Sequence, residues 1–330
     1  MAYDVDDAQG IWIYCEQEKG KIHPVSYEIL NKGRELAEAL DTELVALYLT
    51  PKGEDADELV YRGADKVYVL ESDIFDSPDE IPFKENIVHM VKEGKPEILL
   101  MGATNFGRSL APRVAAALET GLTADCTGLK IKAGEFVQIR PAFTGNILAH
   151  ISTDRCPKMS TVRYKEFEES ERDETREGEI ISKEPLHRVE KGPKILEEIS
   201  EDKVKIQEAD IVVAGGRGLQ ESNDLEMLEK VCAEIGGKLG ASRPLVDEGW
   251  IDKEHQVGYS GNRVKPRLYI ACGISGAPQH LAGMKESEKI IAINSDPSAP
   301  IFEHADYGIV GDIYEVIPEL IEKLKEIKNL

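Results

Sequence analysis

Long apolar runs are missing from this 330-residue chain, and none approaches the roughly 20 residues needed to cross a bilayer. The opening MAYDVDDAQG is acidic and polar, unlike a secretory signal. These two absences argue against membrane insertion and lead us to expect a cytoplasmic, or comparable internal, location. Basic runs are missing as well. With 40 Lys and Arg against 62 Asp and Glu, the formal charge of −22 repels a phosphate backbone and argues against general nucleic-acid binding. Cysteine is sparse: Cys15, Cys126, Cys156, Cys232 and Cys272 are odd in number, widely separated and never in a C-x-x-C pair. That spacing gives little support to a disulfide frame, a zinc site or an iron–sulfur cluster, and predicts reduced core thiols. The complete dinucleotide fingerprint is also absent, because GGRGLQES supplies G-x-G but Glu221 stands where the third Gly belongs.

What remains is a globular composition, 41% hydrophobic and 31% charged, at a length that suggests about two domains. The apolar runs GIWIYCE, ELVALYLT, KVYVLES and EILLMGAT alternate with helix-like stretches, a rhythm that predicts a doubly wound parallel sheet. This first α/β domain is expected over 1–165, ending in a β-rich tail that contains FVQIRPAFTGNILAHIS and KMSTVRY. In GATNFGRS, residues Gly102, Asn105, Gly107 and Arg108 fall where a strand end meets a helix start, which serves either a ligand or a structural turn. The acidic run KEFEESERDETRE opens an expected polar linker over 166–205, with one strand in GEIISKEPL and a short helix in GPKILEEIS.

A second α/β pattern is expected over 206–330, with strands in ADIVVAGG, RLYIAC, KIIAIN and YGIV. A closing helix places Val316, Ile317, Leu320, Ile321, Leu324 and Ile327 on one face. Its strand ends are soft. Gly215, Gly216, Arg217 and Gly218 follow the first, Gly273, Ile274, Ser275 and Gly276 the second, Asn294, Ser295 and Asp296 the third, and Gly311 and Asp312 the fourth. In a parallel sheet these ends share one edge, which suits a long nucleotide lying across it. The segments ASRPLVDEGW and HQVGYSGNRV are too polar and glycine-rich to be plain core strands.

Taken in order, AGGRG, GASR, VDEGW, QVGYSG, LYIACGISGAPQHLAGM, AINSDPSAPIF and DYGIVGDI resemble the α subunit of electron transfer flavoproteins, as does GATNFGRSLAPRVAAALETGLTADCTGL. The resemblance spans essentially the whole chain. It implies two doubly wound α/β domains with parallel sheets, the second binding FAD non-covalently and the first binding no nucleotide and forming the subunit interface. It also implies a partner, the electron transfer flavoprotein β (small) subunit, which completes the site. Electrons would come from flavin dehydrogenases such as acyl-CoA dehydrogenases and pass to a quinone oxidoreductase or a ferredoxin-like acceptor, with any membrane association made through the partner complex.

A flavin gaining electrons builds negative charge at N1 and the C2 carbonyl, so a nearby cation raises its potential. The motif match puts Arg243 against the ring, His280 on its O2 side, and Ser260 where relatives carry a hydroxyl bonded to flavin N5. Gln256, Val257, Gly258 and Tyr259 would run along the ring edge, although relatives commonly read QVGQTG, which leaves residue 259 open. For Arg243 the competing reading is an ordinary ion pair with Asp247 or Glu248. Arg217, Gly218, Ser242, Ser275 and the N–H groups of Gly273 to Gly276 are the phosphate candidates. Gln279 falls near the ribityl chain, and Asn294 with Asp312 at the adenosine end. Leu281 and Met284 read as core packing.

Within the family, a simple one-FAD carrier and an NADH-driven electron-bifurcating complex with a second FAD are both open. GLTADCTGL and GAPQH lean towards the bifurcating or Fix-related branch. From other classes, a nucleotide-binding regulatory protein without a redox role fits the composition. An NAD-dependent enzyme is disfavoured by the broken fingerprint and by the lack of an acid/base pair tied to a nucleotide site.

Overall fold

The computed structural model describes residues 3–18, 20–51, 56–142, 147–186 and 206–328. The chain divides into two units, Met1–Leu196 and Glu197–Leu330. In the first, β1 (Ile11–Cys15), β2 (Gln17–Glu18), β3 (Lys21–Ile22), α1 (Pro24–Leu40), β4 (Leu44–Thr50), α2 (Asp57–Tyr61), β5 (Lys66–Glu71), α3 (Glu80–Gly94) and β6 (Ile98–Gly102) come first in chain order. They are followed by α4 (Asn105–Ala117), β7 (Leu122–Cys126), β8 (Gly128–Lys132), β9 (Glu135–Ala142), β10 (Ile147–Ile151), β11 (Lys158–Val162) and β12 (Glu179–Ser182).

Seven strands form a parallel sheet in the order β12-β5-β4-β1-β6-β11-β7. Its central strands are buried at every position because helices cover both faces, which is why IWIYC and LVALYLT read as unbroken apolar runs. The two-residue period sorts them into two cores: Ile11, Ile13, Cys15 and Tyr48 on one face, Trp12, Tyr14, Leu47 and Leu49 on the other.

Two placements differ from the sequence reading. KMSTVRY does not belong to the β-rich tail: β8, β9 and β10 make a separate antiparallel sheet, while β11 returns to the main sheet between β6 and β7. Four of its five residues are buried, as an interior position requires. The segment expected as linker is tied, as far as residue 186, to the first unit. The strand expected in GEIISKEPL exists as β12 and pairs in parallel with β5. Just before it, the buried Glu28 carboxylate on α1 accepts the N–H groups of Lys165, Glu166 and Phe167 at 3.0, 3.2 and 3.4 Å. The helix expected in GPKILEEIS lies outside the described residues.

The second unit contains β13 (Ile211–Gly215), α5 (Leu225–Ile235), β14 (Lys238–Ala241), α6 (Arg243–Asp247), β15 (Leu268–Cys272), α7 (Pro278–Leu281), β16 (Lys289–Asn294), β17 (Tyr307–Val310) and α8 (Ile313–Lys328). Its sheet is parallel throughout, in the order β14-β13-β15-β16-β17. The four expected strands are present. β14 was not anticipated, since KLGA has only four residues and a Gly within it. Helix α8 packs through Ile313, Val316, Ile317, Leu320, Ile321 and Leu324. Ile327, expected on the same face, is 66% exposed because the helix runs past the end of the core.

Candidate functional site

The strand order of the second unit reverses between β13 and β15, so the crevice outside their carboxyl ends is where an open α/β sheet takes a ligand. Two glycine loops meet there. Gly216 N–H donates to the Cys272 carbonyl at 3.0 Å and Gly218 N–H to the Gly273 carbonyl at 2.9 Å. Gly273 has φ +63°, and a Cβ on it would stand 2.7 Å from the Gly218 Cα; one on Gly218 would stand 2.6 Å from the Gly273 Cα. Only glycine at both positions lets the backbones touch.

Of the N–H groups expected to face phosphates, that of Gly273 is taken by the Ile293 carbonyl at 2.9 Å. Those of Ile274, Ser275 and Gly276 have no acceptor among the described residues. Ile274 and Gly276 are buried, and buried amides rarely stay unpaired. Three consecutive donors of this kind form a concavity for anionic oxygens. Arg217, exposed beside them, makes no hydrogen bond or ion pair among the described residues. The hydroxyls of Ser275, exposed, and Ser242, buried, lie on loops that leave the same sheet edge. These groups fit a dinucleotide's phosphates.

The segment 256–262 folds back on α7. Val257 N–H donates to the Ala241 carbonyl at 2.8 Å, and Tyr259 N–H to the Gln279 carbonyl at 2.7 Å. Gln256 donates its side-chain amide to the Ser260 hydroxyl oxygen at 3.0 Å, leaving the Ser260 O–H free to donate elsewhere. Tyr259 is 51% exposed, with the Arg263 guanidinium 5.8 Å from its ring centre.

Arg243, the first residue of α6, pairs with Asp247 at 3.1 Å, one turn on. The ordinary ion pair is therefore present. Both side chains are well exposed, so the pair holds Arg243 weakly and leaves its charge available. His280 is different. It is 7% exposed, its Nε2 lies 3.0 Å from the Tyr269 hydroxyl, and its Nδ1 is buried without a hydrogen bond. Burial pushes its pKa down to about 4, with the Val257 backbone pulling weakly the other way. With this pKa the imidazole is uncharged at neutral pH, unlike the Arg243 guanidinium.

Asn294 and Asp312 stand at the ends of β16 and β17, and both side chains already serve the fold. Asn294 donates to the Ile274 carbonyl at 2.9 Å and accepts the Asp296 N–H, also at 2.9 Å. Asp312 accepts the Tyr314 N–H at 3.0 Å at the start of α8. Gln279 and Pro278 are exposed in the first turn of α7, while Leu281 and Met284 pack into the core as expected. In the first unit, Gly107 and Arg108 serve the fold: a Cβ on Gly107 would meet the Gly102 oxygen at 2.0 Å, and Arg108 pairs with Asp125. All five cysteines are free and buried, and no cluster of metal ligands occurs among the described residues. Among the described residues no helix is long and apolar enough to cross a membrane.

Two residues of the site were not legible beforehand. Tyr269, the partner of His280, sat unnoticed in the strand run LYIAC. Gly283, given no role by the sequence, allows the 256–262 segment to approach, since a Cβ on it would lie 2.4 Å from the Gly258 nitrogen.

The electron transfer flavoprotein domain model matches residues 11–186, and the electron transfer flavoprotein FAD-binding domain model matches 205–285. An electron transfer flavoprotein subunit alpha of Thermoanaerobacterium thermosaccharolyticum is 46% identical over 98% of this chain and 100% of its own length. A protein FixB of Clostridium saccharobutylicum is 43% identical over 98% of both chains. The lactate dehydrogenase (NAD(+),ferredoxin) subunit LctC of Acetobacterium woodii is 43% identical over 100% of this chain and 80% of its own. The chain belongs to the electron transfer flavoprotein α-subunit family, and its second unit is an FAD-binding domain of that family.

Proposed function

We propose that this chain is the FAD-carrying half of a cytoplasmic heterodimer with a small β subunit, passing electrons from a flavin dehydrogenase to a quinone oxidoreductase or a ferredoxin-like acceptor. The observation that carries this reading is the row of three unpaired N–H donors, Ile274 to Gly276, beside the Gly218–Gly273 contact at the switch point. FAD supplies a ring that takes up and releases electrons, with charge developing at N1, the C2 carbonyl and N5.

The chain's own groups then divide the work. Gly218, Gly273, Ser275 and Gly276, with Arg217 and Ser242, hold the phosphates through N–H groups, hydroxyls and a cation. Gln279 reaches the ribityl chain, and Asn294 and Asp312 frame the adenosine end through the loops they brace. Gln256, Val257, Gly258 and Tyr259 line the ring edge. Ser260 donates to N5, its oxygen already turned by Gln256. Arg243 stabilises negative charge on the reduced ring, exchanging its exposed bond to Asp247 for that role.

The test is to co-express the chain with its small subunit and record the visible spectrum. A flavin-free heterodimer that also refuses added FAD refutes the proposal. In the loaded protein Arg243→Ala should lower the flavin midpoint by tens of millivolts, because about 1.4 kcal/mol corresponds to 59 mV for one electron. An unchanged midpoint removes Arg243 from the ring.

A second reading, electron bifurcation, is favoured by the 43% identity to a subunit whose name couples NAD(+) with ferredoxin. Two flavins per heterodimer, reduced by NADH, support it. One flavin with no response to NADH supports the simple carrier.

A further inference from the structure

Tyr269 stands in β15, between β13 and β16, with 0% exposure and an apolar surrounding that includes Val212, Val257 and Ile290. Its hydroxyl has one partner among the described residues, His280 Nε2 at 3.0 Å. Burial holds this phenol well above its usual pKa, so it keeps its proton. A neutral imidazole carries one N–H, which leaves two arrangements. If Nε2–H donates to the phenol, the phenol proton is left without an acceptor in an apolar pocket. If the phenol donates to Nε2, the proton sits on Nδ1, which has no hydrogen-bond partner among the described residues, although the Val257 backbone favours a protonated ring. The second arrangement leaves one polar group unpaired, the buried Nδ1–H, whereas the first leaves two, the phenol proton and the Nδ1 lone pair. Among the described residues no charged side chain acts on the ring.

The same ring sits where two segments interlock. α7 receives the Tyr259 N–H on the Gln279 carbonyl at 2.7 Å, and a Cβ on Gly258 would lie 2.9 Å from that oxygen. Val257, Tyr269 and Leu281 share one apolar cluster. A rigid line therefore runs from β15 through His280 to the 256–262 segment that carries Ser260.

We propose that Tyr269 and His280 form a single hydrogen-bonded strut, with the proton on Nδ1, that positions the 256–262 segment and Ser260 against the flavin, and that His280 acts there through placement instead of charge. This inference rests on the flavin reading given above. Both residues are positioning residues.

The test uses the full chain with its small subunit and 15N-labelled histidine, with and without flavin. In the wild type we expect the His280 proton on Nδ1 and no titration of the ring between pH 5.5 and 8. Tyr269→Phe and His280→Gln should each weaken flavin binding about tenfold, the worth of roughly one hydrogen bond. The double variant should be no weaker than either single, and the losses should be the same across that pH range. A ring that titrates in the range, a wild-type proton on Nε2, or a His280→Gln loss that fades as pH rises would each overturn the strut. So would additive losses in the double variant. The wild-type ring spectrum decides the matter even where a variant fails to fold. It does so in flavin-free protein too, so a complex that refuses FAD overturns the cofactor reading separately.

Discussion

Glu28 should make the first unit lose stability as the solution becomes more alkaline. Its side chain is on α1 and 3% exposed, and burial pushes its pKa up to about 7 from 4.5, against the three backbone N–H groups that favour the charged form. A carboxyl whose folded pKa lies above its unfolded value binds more protons when folded. Its favourable contribution is complete below about pH 4.5 and is lost as pH rises through about 7. The gap of about 2.5 at 1.36 kcal/mol each gives about 3 kcal/mol as the full swing. Glu28→Gln keeps an acceptor for the backbone and removes the titration. Of the two tryptophans, Trp12 belongs to the first unit and Trp250 to the second, so a Trp250→Phe background lets indole fluorescence report on the first. Urea unfolding at pH 5, 6, 7 and 8 should show wild-type stability falling by a few kcal/mol relative to Glu28→Gln, with the two lines separating as pH rises and running parallel above about 7. Lines parallel from pH 5 onwards would refute the assignment of that proton to Glu28.

His280 gives the second unit the opposite response. Its folded pKa is depressed from 6.5 to about 4, so stability should fall by about 3 kcal/mol as pH drops from 6.5 towards 4, and His280→Gln should flatten that slope in unfolding followed by Trp250. Gly273→Ala places a Cβ against backbone at φ +63° and should cost about 1–3 kcal/mol and abolish FAD retention, read by thermal melts and flavin content after gel filtration. Ser260→Ala should lower the flavin midpoint while Ser260→Thr restores it, because the role needs only the hydroxyl. A shift shared by both variants would remove Ser260 from N5. Asp247→Asn breaks an exposed pair and should change stability by less than about 1 kcal/mol, a limit chemical unfolding can check.

Much of this was legible in the residues because the decisive signals were local. Apolar runs of the right length gave the strands, and GGRG, GISG and the soft ends of β16 and β17 fell on one edge as a parallel sheet demands. What escaped were facts set by distant partners. KMSTVRY looks like any short β run, and only its neighbours β6 and β7 make it an interior strand. β12 sits in an acidic stretch and is held by pairing with β5, more than a hundred residues earlier in the chain. Tyr269 reads as a strand former, and nothing in LYIAC signals that its hydroxyl meets a histidine on α7. The ionisation of His280 was out of reach for a related reason: a motif gives a position, whereas ionisation depends on how much water is left around it.

The contact between Gly218 and Gly273 also restricts how this site can change. Where a large and a small side chain face each other, a substitution on one side can be rescued by a smaller residue on the other. Here each partner is already the smallest residue there is, and each blocks a Cβ on its neighbour. No second mutation at the facing position can make room for the first, so the two loops can diverge around this point but not through it.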